Sequence, residues 1–257
     1  MGFEARRTLS ETETVTACLI IIGNEILSGR TVDANLPHIA KRLNEKGIRL
    51  TEARIVPDIE AEIVDAVNIC RARHNYVLTT GGIGPTHDDI TSACMAKAFG
   101  VPFGRNEEAA RRLEAFYGDR VNPARMRMAD MPEGVALIDN PVSTAPGFII
   151  GNVIVMAGVP KIMQAMLENV LPIMQGGEPM LSRTIVAYRP ESEMAPAMAG
   201  IERDFPGIEV GSYPFFRMER YGTSVVLRGT DGDRLARAAA HLLDYLRVEN
   251  IDHEDAG

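Results

Sequence analysis

The sequence has no tryptophan and only three cysteines, and it contains no apolar run long enough to cross a bilayer. The cysteines are odd in number and far apart, so they match neither a disulfide framework nor the ligand spacing of a zinc site. We therefore expect Cys18, Cys70 and Cys94 to be buried free thiols in a reducing compartment. Because the N-terminus lacks a signal-type apolar segment, we also expect a cytoplasmic protein with no membrane partner.

Basic residues are fewer than acidic ones, 27 against 35, which gives a formal net charge of -8. This balance excludes the basic stripe that is typical of nucleic-acid-binding proteins. It does not exclude a phosphate-bearing small molecule, because backbone N–H groups and helix N-termini bind phosphates whatever the net charge. With 257 residues, 46% of them hydrophobic, the chain can bury a core without disulfides or metals.

Short apolar runs alternate with helical periods in the first two-thirds of the chain. The pattern predicts strands at Ala17–Ile22, Ile48–Val56 and Tyr76–Thr80, separated by helices. Right-handed crossovers make such strands parallel and put helices on both faces of the sheet. We therefore predict an α/β domain over residues 15–175, preceded by a disordered tail over residues 1–14.

A second module follows a linker at Gln175–Pro179. The pattern there predicts strand, helix, strand, strand and helix, at Ser182–Tyr188, Glu191–Phe205, Ile208–Tyr213, Thr223–Arg228 and Asp231–Arg247. This order indicates a small α+β, ferredoxin-like domain over residues 180–250. Its charges nearly balance, which argues against RNA as a partner.

The strongest functional signal is the loop Gly81–Thr91, which joins a buried strand to a predicted helix near Asp89–Phe99. Three glycines in four positions allow a tight turn and let a phosphate approach backbone N–H groups at a positive helix end. The order is neither the Walker pattern nor G-x-G-x-x-G. The predicted ligand-binding residues of this loop are Gly81, Gly82, Gly84, Pro85, Thr86, Asp88 and Thr91.

Adjacent carboxylates at Asp88 and Asp89 would repel a phosphate unless a divalent cation bridges them to it. Mg²⁺ is typically shared in this way between one or two carboxylates and substrate phosphates. The alternative is that one of the two acids caps the following helix. His87 is either a general acid or base or an exposed loop histidine without a role.

Other turns follow strands at the same predicted edge of the sheet, where ligands of open α/β sheets bind. Glu25 is either a metal or ligand contact or a surface acid, and Asp58 is either a ligand contact or a helix N-cap. The further candidates for ligand binding are Gly23, Asn140, Ser143, Pro146, Gly147, Gly158, Val159 and Pro160.

Four segments of the chain together resemble the molybdopterin-binding domain superfamily. Within it, they look most like the amino-terminal domain of the competence/damage-inducible protein A family. The segments that carry the resemblance are Gly23–Gly29, Gly81–Thr91, Asn140–Phe148 and Gly158–Pro160. The similarity covers roughly Val15–Gln175 and implies a three-layer α/β/α fold and a homo-oligomer, either a dimer or a trimer. The second module, with Gly211–Pro214, resembles the small domain that follows in that family and a related domain of eukaryotic FAD synthases.

The resemblance also implies a chemistry. Members of the superfamily adenylylate molybdopterin or insert molybdenum, whereas the competence/damage-inducible branch is associated with metal-dependent cleavage of nucleotide pyrophosphates such as ADP-ribose or FAD. By motif position, Asp58 and Asp89 are the catalytic residues, and with Glu25 they would hold Mg²⁺ or another divalent cation. We expect this hydrolysis. The alternative is a module that binds molybdopterin or its nucleotide in molybdenum cofactor biosynthesis.

Two departures from the family pattern are visible. The family's Gly-Val-Pro-x-Glu reads Gly158-Val159-Pro160-Lys161-Ile162, so an acid is missing at Ile162 and any role that depends on it is in doubt. The chain also ends soon after Arg247, so we expect no nicotinamide mononucleotide deamidase domain.

Overall fold

The structure, a computed structural model, describes residues 14–217 and 220–256. Contacts divide the chain into two compact units, the first ending at Gly177 and the second beginning at Glu178. Apart from Thr14, the predicted disordered tail lies outside the described residues and stays a prediction. Within the described part, no helix is both long enough and apolar enough to cross a bilayer.

The first unit contains eight strands and seven α-helices among its described residues. The strands are β1 Val15–Ile22, β2 Ile48–Val56, β3 Tyr76–Thr80, β4 Phe103–Arg105, β5 Asp130–Pro132, β6 Ala136–Ile138, β7 Gly147–Ile150 and β8 Val153–Met156. The helices are α1 Asn24–Leu27, α2 Asn35–Glu45, α3 Glu60–Arg73, α4 Thr91–Phe99, α5 Glu107–Tyr117, α6 Pro123–Met126 and α7 Pro160–Val170.

Six of these strands form one sheet in the order β2-β1-β3-β8-β7-β6. The first four are parallel, and β7 is antiparallel to both of its neighbours. Successive residues of β1 belong to two cores on opposite faces of the sheet, with Cys18 and Ile20 in one and Leu19 and Ile21 in the other. The predicted three-layer fold with a mostly parallel sheet is confirmed.

Local chemistry explains where the helices begin and end. Leu36 N–H donates to Asp33 Oδ2 over 2.7 Å at the start of α2, and Gly47, with φ +73°, follows its end. Helix α4 begins at Thr91, two residues later than predicted, because the Asp89 carboxylate accepts from the Thr86 backbone N–H inside the loop and does not cap the helix.

The second unit has the order β9 Leu181–Ala187, α8 Glu191–Asp204, β10 Glu209–Arg217, β11 Arg220–Gly229, α9 Gly232–Val248 and β12 His253–Asp255. Its sheet runs β10-β11-β9-β12 with all neighbours antiparallel. Apolar residues of α8 and α9 pack with those of the strands in one core. The predicted ferredoxin-like arrangement is confirmed and is completed by β12, a three-residue polar strand that the hydrophobic pattern does not predict.

Candidate functional site

The strands β1, β2, β3 and β8 all end at one edge of the sheet, which we call the carboxyl edge. Gly23 N–H donates to the Val56 carbonyl over 3.2 Å, and Gly81 N–H donates to the Met156 carbonyl over 3.2 Å. The loop between β6 and β7 lies at this edge too, because β6 runs in the same direction as β8. The structure therefore brings the predicted site segments to one edge.

Backbone segments approach one another closely here, and glycine allows it. Gly81 has φ +103°, and a Cβ on it would lie 2.1 Å from the Ile22 carbonyl oxygen. A Cβ on Gly158 would lie 3.2 Å from Gly81 Cα. The two glycines therefore let the ends of β1, β3 and β8 pack directly on each other.

The glycine loop is anchored to α4 by a buried threonine. Thr91 N–H donates to the Gly82 carbonyl and Thr91 Oγ1 donates to the Gly81 carbonyl, each over 3.0 Å. Thr91 is fully buried, so these two hydrogen bonds are shielded from water and fix the conformation of the loop. The N–H groups of Gly82, Ile83 and Gly84 donate to no acceptor in the described part of the chain.

The two acids of the loop differ in their surroundings. Asp89 Oδ2 accepts from Thr86 N–H over 2.8 Å, whereas Asp88 is exposed. Hydrogen bonding with the Thr86 side chain lowers the pKa of Asp88, which favours its ionised form. The capping alternative is wrong for both acids, because neither side chain bonds the first turn of α4. The His87 side chain is 94% exposed and approaches Asp88 only to 4.0 Å, which favours the interpretation without a role.

Asp58 joins the ends of two strands. Its Oδ2 accepts from Asn24 N–H over 2.9 Å, and Asn24 immediately follows the turn after β1. The N-cap alternative is wrong, because α3 begins at Glu60 and Ile59 occupies the cap position without a side-chain hydrogen bond. Asp58 is thus half-buried at the carboxyl edge, where a ligand contact is expected.

The loop between β6 and β7 is held together by its own polar groups. Asn140 Oδ1 accepts from the N–H groups of Val142 and Ser143, and its Nδ2 donates to Ser143 Oγ and to the Ala145 carbonyl. These four bonds use the full capacity of the amide. Pro146 and Gly147 are buried. These residues shape the loop. The Asn140 amide has no free hydrogen-bond donor or acceptor left for a ligand.

The predicted metal ligands Asp58, Asp89 and Glu25 do not form a cluster. Among the described residues, one group of at least three His, Cys, Asp or Glu has its ligand atoms within 4.8 Å of one another, and it consists of Cys18, Glu52 and Cys70. A magnesium ion at the carboxyl edge would need ligand phosphates beside these acids. Their metal-binding role stays a prediction.

A pocket opens at the carboxyl edge, on the side of the sheet that carries α2 and α7. We call it the edge pocket. It is lined by Ile21, Ile22, Glu25, Ile26, Thr31, Val32, Asp33, Ala34, Asn35, Thr80, Gly158 and Pro160. Glu25, Gly158 and Pro160 are predicted site residues, whereas the predicted Val159 does not line the pocket.

Two buried polar atoms on the wall of the edge pocket have no hydrogen-bond partner among the residues that the structure describes. Asn35 Nδ2 donates to the Gly158 carbonyl over 2.8 Å, but Asn35 Oδ1 and Thr80 Oγ1 accept or donate no hydrogen bond. Leaving such a group unsatisfied costs about 1–3 kcal/mol. Sequence reasoning missed both residues, because asparagine at a helix start is typical of capping and a threonine in a buried strand is typical of packing.

The acids of the edge pocket determine which ligand groups it favours. Glu25 and Asp33 are both hydrogen-bond acceptors when ionised, and only Oδ2 of Asp33 is engaged by Leu36 N–H. The pocket therefore presents acceptors, which suits a ligand edge rich in N–H donors. The N–H groups of the neighbouring glycine loop suit an anion.

Comparison with known families agrees with this geometry. Residues 18–176 match the family described as "probable molybdopterin binding domain". The chain belongs to the molybdopterin-binding domain family. Residues 179–255 match a second family, described as "FAD synthase, middle domain". Both resemblances predicted from the sequence are thereby confirmed, and the molybdopterin-binding domain includes the whole carboxyl edge.

Relatives of this member of the molybdopterin-binding domain family occur in archaea and bacteria. A protein of Pyrobaculum arsenaticum is 38% identical over 77% of this chain and 79% of its own length. A CinA-like protein of Syntrophus aciditrophicus is 38% identical over 77% of this chain, which spans 50% of that relative. The crystal structure of the protein CinA from Thermoplasma acidophilum, described as of unknown function, is 36% identical, with a TM-score of 0.59 over 63% of this chain and 100% of its own.

Proposed function

We propose that the molybdopterin-binding domain binds molybdopterin or its nucleotide, with the pterin in the edge pocket and the phosphate on the loop Gly81–Thr91. The observation that carries this proposal is the pair of buried, unpartnered atoms Asn35 Oδ1 and Thr80 Oγ1 on the pocket wall. A bound ligand that pairs with them removes a cost that the protein alone retains.

The chemistry of the ligand matches the two parts of the site. A pterin carries an amino group and ring N–H donors along one edge, and the edge pocket offers acceptors at Asn35, Glu25 and Asp33. A phosphate needs donors, and the N–H groups of Gly82, Ile83 and Gly84 are available for it. The edge pocket and the glycine loop are adjacent, because Thr80 on the pocket wall directly precedes Gly81, the first residue of the loop.

A binding titration with a pterin monophosphate as the probe tests the proposal. We expect Thr80→Val to weaken binding about tenfold, as the loss of about 1.4 kcal/mol implies, and Thr80→Ser to preserve it. Thr79→Val is the matched control, because Thr79 Oγ1 is also buried and unpartnered, yet Thr79 does not line the pocket. Equal affinity of the Thr80→Val and Thr79→Val proteins would contradict the proposal.

Metal-dependent hydrolysis of a nucleotide pyrophosphate, ADP-ribose or FAD, is the second candidate. It is favoured by Asp58 and Asp89, two carboxylates at the carboxyl edge that do not cap helices. In this scheme Asp58 and Asp89 are catalytic and, with Glu25, hold the divalent cation, which stabilises charge on the phosphoryl oxygens and activates water.

Release of AMP separates the two candidates. Purified protein is incubated with ADP-ribose and with FAD in the presence of Mg²⁺, Co²⁺ or EDTA. Hydrolysis predicts AMP only with metal and none from Asp89→Asn, a variant that retains an acceptor for Thr86 N–H. Saturable pterin binding without AMP release under any metal would leave the binding module as the function.

A further inference from the structure

Two cysteines and a glutamate meet on the opposite face of the sheet from the edge pocket. Cys18 lies in β1 and Cys70 in the last turn of α3, and both are fully buried. Their sulfur atoms are 3.0 Å apart. A carboxylate oxygen of Glu52, on β2, lies within 4.8 Å of both sulfurs. The proposed function of the chain uses none of these residues.

A bulge in β2 places Glu52 beside the cysteines. Ala17 pairs with Leu50 but Cys18 pairs with Glu52, so Thr51 is the extra residue. A bulge re-aims the side chains that follow it. Accordingly, Leu50 packs against the core on the α2 side, whereas Val56 packs against the core that contains Cys18 and Cys70. Without the bulge, Glu52 would face the other layer.

The rim of this cluster holds two further polar residues. Arg54 Nε donates to Glu52 Oε1 over 2.6 Å, and this hydrogen bond lowers the pKa of Glu52. His74 Nδ1 lies 3.1 Å from the Cys70 carbonyl oxygen, and its Nε2 lies 3.7 Å from Glu52 Oε2. A neutral histidine that donates from Nδ1 to a carbonyl has a bare Nε2, the form in which histidine ligates metals.

We propose that Cys18, Cys70 and Glu52 form a binding site for a thiophilic divalent cation of the Zn²⁺ class, with His74, whose Nε2 lies 3.7 Å from Glu52 Oε2, as a candidate fourth donor. Sulfur, nitrogen and carboxylate oxygen are the ligands that Zn²⁺ takes in proteins, with Zn–S distances of about 2.3 Å. A tetrahedral ion separates two sulfur ligands by about 3.8 Å. Small rotations about the cysteine side chains open the 3.0 Å contact to that distance.

The charges of the cluster balance when such an ion binds. Burial raises the pKa of the Cys18 thiol well above its ordinary range, so the thiol is neutral when no cation is near. Binding forms two metal–sulfur bonds and releases two protons to solvent, so the thiolates neutralise the ion while Arg54 continues to neutralise Glu52. The soft sulfur pair excludes Mg²⁺ and Ca²⁺, which prefer oxygen ligands.

Titration of the reduced, chelator-treated full chain with Co²⁺ tests this site. We expect a thiolate-to-cobalt charge-transfer absorption that saturates at one ion per chain and is abolished by added Zn²⁺. The band should be absent from Cys70→Ser and unchanged in Cys94→Ser. The latter is the matched control, since Cys94 is a buried cysteine of the same core.

Glu52→Gln is a second test variant in case Cys70→Ser does not fold. Glu52 is only half-buried, so an amide fits at this position. We expect that variant to fold and to bind Co²⁺ at least about tenfold more weakly. The proposal is overturned by a folded, reduced protein that gives no charge-transfer band, or by a band that Glu52→Gln leaves unchanged. A band lost equally in Cys94→Ser also overturns it.

Discussion

Asn35 Nδ2 donates a hydrogen bond to the carbonyl oxygen of Gly158 over 2.8 Å and so joins the start of α2 to the turn before α7. The same side chain holds Oδ1 at the wall of the edge pocket without a partner. One amide therefore closes the pocket wall with its nitrogen and presents its oxygen to a ligand.

Asn35→Ala should destabilise the protein by about 1 kcal/mol, because the Gly158 carbonyl loses its donor while the unsatisfied Oδ1 is removed at the same time. Urea denaturation measures the change. Asn169→Ala is the control, since Asn169 donates to backbone carbonyls from an exposed position and its loss should cost less. A larger effect of Asn169→Ala would show that the Asn35 hydrogen bond adds little to stability.

Gly81→Ala should be strongly destabilising, by about 2–3 kcal/mol more than Gly29→Ala. Both glycines have positive φ, so both variants carry the backbone strain, about 1 kcal/mol or more. Only the alanine at position 81 also meets the Ile22 carbonyl, whereas nothing lies within 4 Å of a Cβ at Gly29. Chemical denaturation of the two variants gives the difference, and equal free energies of unfolding would refute the close approach.

Asn140→Ala should cost about 2–3 kcal/mol, because it removes an amide that makes four hydrogen bonds inside the loop between β6 and β7. Ser143→Ala removes one of the four and should cost about 1 kcal/mol or less. Thermal and urea unfolding measure both. Similar costs for the two variants would contradict this expectation, because the other three hydrogen bonds of Asn140 would then add no separate stability.

The ion pair between Arg42 and Glu168 should contribute to stability in a pH-dependent way. Arg42 donates two hydrogen bonds to Glu168, over 2.8 and 2.7 Å, and the hydrogen bond lowers the pKa of Glu168 below its ordinary 4.5. A carboxyl whose pKa is lower in the folded state stabilises that state above the ordinary pKa and loses this effect as the pH falls through the lowered value.

Comparison of the wild type with Glu168→Gln from pH 7 down to about pH 3 measures this contribution. We expect a small stabilisation by Glu168 at neutral pH that decreases below the ordinary pKa and disappears as the pH falls through the lowered pKa of the folded state. High salt should reduce the difference as well, since both side chains are partly exposed. A difference in stability that does not change with pH would contradict the ion-pair origin.

Most of the fold is predictable because its signals are local. The parallel strands Ile48–Val56 and Tyr76–Thr80 have the predicted bounds, since each is an apolar or alternating run between turn residues. Asparagine is a favoured N-cap residue, and the side chains of Asn106 and Asn122 accept from Ala109 N–H and Arg125 N–H at the starts of α5 and α6. The short polar strand β12 lacks any such pattern, and pairing with β9 alone creates it.

The candidate site is predictable only in part, because its contacts are long-range. Sequence order placed the correct segments at the carboxyl edge, yet it could not show which of their side chains are already engaged. The side chains of Asn140 and Thr91 already make hydrogen bonds within their own loops. Asn35 becomes a site residue through a turn 123 positions away, a relationship that no local pattern contains.

The contact of Gly158 with Gly81, and of Gly81 with the Ile22 carbonyl, also limits how this domain can diversify. A side chain at Gly81 requires the ends of β1 and β3 to move apart, and one at Gly158 requires Gly81 to shift by a few tenths of an ångström. A new ligand preference can therefore arise at a position whose side chain lines the edge pocket beside this backbone junction, such as Glu25. The glycines of the junction and the Glu25 side chain are thus different positions, and directed evolution can vary Glu25 without altering the junction.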